Sequence, residues 1–120
     1  MKVGIIGAGA WGSALAIAVA RAGREVLLRA HESDVVEFIN NKQINPEFLP
    51  GITFPDSVRS TSSLSETVNQ DIVLLVTPAQ FVREIIMATK NQFGRETKLI
   101  LCSKGIEQKS GKLLSEVIED

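Results

Sequence analysis

At 120 residues the chain has room for one domain at most, and its 44% apolar content can build a real core. A net charge of −1 gives no support to nucleic-acid binding, which calls for a clustered basic face, and the single cysteine, Cys102, rules out an intrachain disulfide and fits a reducing cytoplasm. No apolar run approaches the roughly 18 residues of a membrane span, and the start of the chain lacks the pattern of a signal peptide.

Val3, Ile5 and Ile6 form a short β-branched run that predicts a buried first strand. Gly7, Gly9 and Gly12 follow at once, as G-A-G-A-W-G, and Ser13 to Ala20 continue as an Ala-rich apolar helix that Gly23 stops. That order suits a dinucleotide. Gly7 turns the chain out of the strand, Gly9 lets a pyrophosphate approach the backbone, and Gly12 lets the helix pack closely. The helix N-terminus then offers N–H groups and a positive dipole end to the phosphates. The competing reading is a tight turn with no ligand; a glycine motif set between strand and helix argues against it.

Glu25 to Ala30 reads as the second strand, completing a right-handed βαβ unit. Asp34 and Glu37 have the spacing of a helix cap and its N3 acid, which predicts a short helix to about Asn40. Residues 41–57 are punctuated by Asn45, Pro46, Pro50, Gly51 and Pro55 and read as an irregular loop, anchored by Ile44, Phe48, Leu49, Ile52 and Phe54. Val58 to Ser60 is a candidate edge strand, and the capping box Ser63-Leu64-Ser65-Glu66 opens a helix to about Asn69. Asp71 to Val76 is apolar on both faces, as a central parallel strand should be. Thr77-Pro78 starts a helix with Phe81, Val82, Ile85, Ile86 and Met87 on its buried face and Gly94 just beyond. Lys98 to Cys102 is a further strand, Ser103 to Glu107 a loop, and Lys112 to Glu119 a final helix.

Strand and helix alternate, so the fold class is α/β, a doubly wound, mainly parallel sheet of the Rossmann-like nucleotide-binding type. Ligands bind such sheets beyond the carboxyl ends of the strands. Four segments therefore share the functional edge: Gly7–Gly12, Arg29–Glu32, Thr77–Phe81 and Ser103–Gly105.

The end of the second strand selects the cofactor. An acid there suits the ribose hydroxyls of NAD, a base the extra phosphate of NADP. Arg29 and His31 precede Glu32, so the charge argument favours NADP over NAD. His31 is otherwise a solvated loop histidine or a partner for adenine stacking. Trp11 is read as packing against the sheet edge and as a wall beside the phosphates, two roles that can hold together, and Phe81 as either core or a platform near the nicotinamide. Phe38, Phe48, Phe54 and Phe93 are assigned to packing, and Cys102 to a buried structural thiol. Lys104, in a Ser-Lys-Gly turn after a buried strand, can hold a phosphate or a reacting oxygen as a point charge. One His and one Cys make no metal site, no Ser-His-Asp arrangement stands out, and the glycine loop lacks the G-K-[ST] ending of an ATP-binding loop.

Four segments in order, Gly7 to Ala14, Asn45 through Phe48-Leu49-Pro50-Gly51, Val76-Thr77-Pro78-Ala79-Gln80-Phe81 and Ser103-Lys104-Gly105-Ile106-Glu107, give a chain that resembles the N-terminal domain of NAD(P)-dependent glycerol-3-phosphate dehydrogenases. The first segment is generic to dinucleotide folds; the combination of the other three is more specific. The resemblance implies that Gly7, Gly9, Ala10, Trp11, Gly12, His31, Phe81 and Lys104 bind the cofactor, and that Lys104 also touches substrate. Ala10 stands where bacterial members often have serine, which removes a side-chain bond to phosphate and leaves the backbone contact. The implied reaction is reversible hydride transfer between NAD(P)H and dihydroxyacetone phosphate, giving sn-glycerol 3-phosphate for phospholipid synthesis. Family members continue into a helical substrate domain that supplies the catalytic lysine. Residues 1–120 are thus expected to be an incomplete nucleotide-binding domain without catalytic residues of its own, cytoplasmic, and part of an enzyme that can be homodimeric. The alternatives are another two-domain NAD(P)-dependent dehydrogenase and a non-enzymatic dinucleotide-binding redox sensor.

Overall fold

The β-branched runs pair in parallel, and the helices between them cover both faces of the resulting sheet. A computed structural model describes residues 2–77, 81–89 and 97–102. In chain order the elements are β1 (Lys2–Ile6), α1 (Ala10–Arg21), β2 (Glu25–Arg29), α2 (Ser33–Lys42), β3 (Ile44–Asn45), β4 (Leu49–Thr53), β5 (Val58–Thr61), α3 (Leu64–Val68), β6 (Ile72–Leu75), α4 (Val82–Thr89) and β7 (Lys98–Leu101). Five strands form one parallel sheet in the order β5-β2-β1-β6-β7. From β1 the chain steps outward to β2 and β5, then crosses back to β6 on the other side. The strand order therefore reverses between β1 and β6, the position where open α/β sheets bind ligands.

Side-chain alternation sends the strand residues to two cores. Val3, Ile5, Val26 and Leu28 meet Ala16, Ile17 and Ala20 of α1 and Val35 and Ile39 of α2 on one face. Ile6, Val73 and Leu75 meet Val68 of α3 and Val82 of α4 on the other. Gly4 faces α3 so closely that a Cβ there would lie 2.2 Å from the Thr67 carbonyl oxygen. The edge strand β5 is closed by α2 through a side chain: Asn40 Nδ2 donates to the Ser60 carbonyl (2.9 Å) and its Oδ1 accepts the Ser60 N–H (2.7 Å).

Several boundaries differ from the sequence expectation, each for a local reason. Helix α1 begins at Ala10 rather than Ser13, because the glycine turn itself supplies its first turn. Glu32, not Asp34, occupies the cap position of α2, since the Asp34 carboxylate accepts the N–H of its own neighbour Val35 (3.0 Å). The helix runs on to Lys42 and ends where Gln43 takes the left-handed conformation at φ 57°. The expected irregular loop over residues 41–57 contains an antiparallel hairpin, β3–β4. Gln43 clamps its base: its carbonyl accepts the Phe54 N–H (2.6 Å), and its amide donates to the Phe54 carbonyl (3.2 Å) and to the Asp56 carboxylate. Phe54 itself is wholly buried, as its packing assignment requires, whereas Phe38 is exposed with the Lys42 ammonium 5.7 Å from its ring centre.

The Ser63 cap is present, its Oγ accepting the Glu66 N–H at 3.2 Å. On α4 the inward residues are Val82, Ile85, Ile86 and Thr89, spaced as one helical face. Phe81 and Met87 fall off that face and are 46% and 58% exposed, contrary to the predicted buried stripe. Cys102 is half-buried rather than buried, and burial raises its thiol pKa. The expectations for Pro78, Phe93, Gly94, the Ser103–Glu107 loop and the helix over 112–119 lie outside the described residues. Among the described residues no helix is long and apolar enough to cross a membrane.

Candidate dinucleotide site

Parallel strands in register bring their carboxyl ends to one edge. Ile6 pairs with Arg29 and with Leu75, Arg29 with Thr61, and Leu75 with Leu101. The loops that leave these strands are tied to their neighbours. Gly7 N–H donates to the Arg29 carbonyl (3.2 Å), Val76 N–H to the Ile6 carbonyl (2.9 Å), and Cys102 N–H to the Leu75 carbonyl (2.9 Å). The segments that begin at Gly7, Arg29 and Thr77 thus start side by side; residues 78–80 and the segment with Lys104 lie outside the described residues.

The glycine turn occupies the middle of this edge. Gly7 has φ +119°, a backbone state that favours glycine, and it lies against Val76. A Cβ on Gly12 would sit 1.7 Å from the Gly7 carbonyl oxygen, so only glycine lets α1 start this close to the turn. At Gly9 the situation is opposite: a Cβ would meet no atom within 4 Å. The first helical hydrogen bond runs from Ser13 N–H to the Gly9 carbonyl (2.9 Å). The N–H groups of Ala10, Trp11 and Gly12 have no acceptor within the helix, as at any helix start. No acidic residue stands in the first turn and no side chain caps it. Open space over Gly9, donor groups below it and an uncompensated positive dipole end fit the pyrophosphate of a dinucleotide.

Ala10 and Trp11 flank this opening. Trp11 is 61% exposed, which sets aside its packing role and leaves an indole available beside the turn. His31 follows β2 at the same edge and is exposed. Arg29 is half-buried, and its Nε donates to the Ser62 carbonyl at 3.2 Å. Burial lowers its pKa and the neighbouring Glu32 carboxylate partly offsets this, so the guanidinium stays charged. Phe81 immediately precedes α4 and is exposed, consistent with a platform rather than a core residue. Among the described residues no cluster of three His, Cys, Asp or Glu could hold a metal ion.

One participant was not legible as such. Asn45 in β3 is fully buried, and its Nδ2 donates to the Ala8 carbonyl and to Ser13 Oγ, both at 3.0 Å. Ser13 Oγ donates in turn to the Ala8 carbonyl at 3.3 Å. In the sequence Asn45 stands among Asn and Pro residues and reads as loop punctuation. Its one distinguishing signal is its position at the head of the Leu49-Pro50-Gly51 segment.

Comparison with known proteins gives the family. Residues 2–120 match the family model of the NAD-dependent glycerol-3-phosphate dehydrogenase N-terminus. A glycerol-3-phosphate dehydrogenase of Parvibaculum lavamentivorans, named for NAD(P)+, is 42% identical over 119 residues, 99% of this chain and 36% of the relative. One from Paramagnetospirillum magneticum is 44% identical over 117 residues, 98% of this chain and 42% of the relative. The crystal structure of glycerol-3-phosphate dehydrogenase from Coxiella burnetii superposes with a TM-score of 0.88 at 32% identity, covering 98% of this chain and 36% of that one. The chain therefore spans well under half the length of these relatives. It belongs to the NAD-dependent glycerol-3-phosphate dehydrogenase family and corresponds to the N-terminal, nucleotide-binding part of its members.

Proposed function

We propose that residues 1–120 bind NADPH or NADH as the nucleotide-binding domain of a sn-glycerol-3-phosphate dehydrogenase. The observation that carries this reading is the open space over Gly9 above the unpaired N–H groups at the start of α1. Gly7 shapes the turn, and Gly9, Ala10, Trp11 and Gly12 present backbone N–H groups to the pyrophosphate, with the Trp11 indole as a side wall. His31 meets the adenosine ribose or its phosphate, and Phe81 flanks the nicotinamide. Lys104 places a positive charge against cofactor and substrate, where a phosphate or a reacting oxygen needs it. The nicotinamide supplies or accepts the hydride in the interconversion of dihydroxyacetone phosphate and sn-glycerol 3-phosphate, a step that feeds phospholipid synthesis. The catalytic lysine belongs to a helical substrate domain. Charge at the end of β2 favours NADP: Arg29 and His31 precede Glu32, and the Arg29 Nε bond to the Ser62 carbonyl holds that guanidinium at the strand end. A single cysteine fits a cytoplasmic enzyme, and the intact protein is read as a homodimer.

Trp11 is the only tryptophan, so its fluorescence reports the turn directly. Titration of the chain with NADPH and with NADH is expected to give saturable quenching, tighter for NADPH. Equal affinities remove the NADP preference. No response to either nucleotide from a folded chain removes the binding role.

A further inference from the structure

The hairpin β3–β4 lies outside the parallel sheet, yet it sends one fully buried polar side chain into the glycine turn. Asn45 Nδ2 carries two hydrogens, and both are used, on the Ala8 carbonyl and on Ser13 Oγ. Its Oδ1 faces the Phe48 N–H at 3.4 Å, the residue that leads into β4. The hairpin is itself held firmly, by the Gln43–Phe54 clamp and the buried Phe54 ring. Asn45 is therefore a fixed post against which the turn is set.

The consequence follows from peptide geometry. The Ala8–Gly9 peptide is trans and planar, so its C=O and N–H point in opposite directions. The Ala8 carbonyl is drawn inward by two donors, Asn45 and Ser13. Its partner N–H, that of Gly9, is thereby turned away from the core, and it has no acceptor among the described residues. We infer that Asn45 is a positioning residue for the dinucleotide phosphates: by clamping the Ala8 carbonyl it aims the Gly9 N–H outward, so the hairpin sets the affinity of the turn. This rests on the dinucleotide-binding reading. The rival role is purely structural, a tie between the hairpin and α1.

Asn40 supplies the control, because it makes two side-chain bonds to Ser60, of 2.9 and 2.7 Å, on the edge strand β5 rather than at the turn. NADPH affinity of the 120-residue chain is measured by Trp11 fluorescence, and the Gly9 amide is followed by NMR. Asn45→Ala, and the equally sized Asn45→Asp that lacks both donors, are expected to weaken NADPH about tenfold, the order of one lost hydrogen bond to a charged group. The Gly9 amide resonance moves in the nucleotide-free variants. Asn40→Ala lowers Tm and leaves the NADPH Kd unchanged. Should neither Asn45 variant fold, Ser13→Ala decides, with an intermediate loss of affinity expected from removal of one donor. A folded Asn45 variant with unchanged Kd overturns the inference, as does an equal loss in Asn40→Ala, or an unchanged Kd in Ser13→Ala where that variant decides. If the unaltered chain binds neither NADPH nor NADH, the binding reading falls and takes this inference with it.

Discussion

Gly9 and Gly12 stand three residues apart in one motif and answer to different demands. Gly12 is required by the protein itself, since a Cβ would collide with the Gly7 carbonyl oxygen at 1.7 Å. Gly9 is required by nothing in the protein: its φ of −71° suits any residue and its Cβ would point into open space. Gly12→Ala is therefore expected to destabilise the fold by at least about 1–3 kcal/mol, the usual cost of overpacking, read as a fall in Tm or denaturation midpoint. Gly9→Ala is expected to change stability by no more than about 1 kcal/mol, with either sign. The same variant should lose most of its NADPH binding, because the methyl fills the space the pyrophosphate needs. A Gly9→Ala chain that binds as tightly as the original would move the phosphates elsewhere on the edge.

At the scale of elements, local chemistry governs starts and stops, and packing governs faces. Helix α3 is only five residues long, and Ser63 Oγ satisfies one of its unpaired N–H groups. Ser63→Ala should cost about 1 kcal/mol in chemical denaturation, the typical value for a lost N-cap. A larger loss would point to the neighbouring contacts of Thr61 and Thr67 with Ser63 as joint contributors. The Ser63 cap was legible because its donor lies three residues ahead in the chain. The expected Asp34 cap is absent because α2 already starts at Ser33: Asp34 lies inside the first turn, and Glu32 holds the cap position without a side-chain bond. The buried stripe on α4 is narrower than its apolar content. Apolar character marks Phe81 and Met87, but only the helical period separates them from Val82, Ile85, Ile86 and Thr89.

At the scale of the molecule, the crossing from β5 to β6 puts the glycine turn where the strand order reverses, and the β2 and β6 ends flank it. A polar cleft of about 330 Å³ lies elsewhere, beside Lys2, Glu25 and Ser57 at the amino ends of the strands. That end of an open α/β sheet is not where nucleotides bind. The proposed division of labour predicts that the 120-residue chain binds nucleotide and does not oxidise NADPH or NADH in the presence of dihydroxyacetone phosphate. Absorbance at the dihydronicotinamide band checks this. Turnover near that of an intact family member would place the catalytic groups within these 120 residues.

The strands of the parallel sheet, their order along the chain and the glycine turn were determined by the sequence alone; the β3–β4 hairpin was not. They depend on short-range patterns: β-branched runs, the spacing of Gly7, Gly9 and Gly12, and a cap that bonds three residues ahead. The tertiary structure alone decided what lies far apart in the chain. Asn45 meets Ala8 across 37 residues, Asn40 closes the edge strand across 20, and Gly4 admits the Thr67 carbonyl from α3. No local period encodes those meetings. Each is a polar or missing side chain whose purpose exists only once another element has been brought against it, and at the fully buried Asn45 burial makes the contact obligatory.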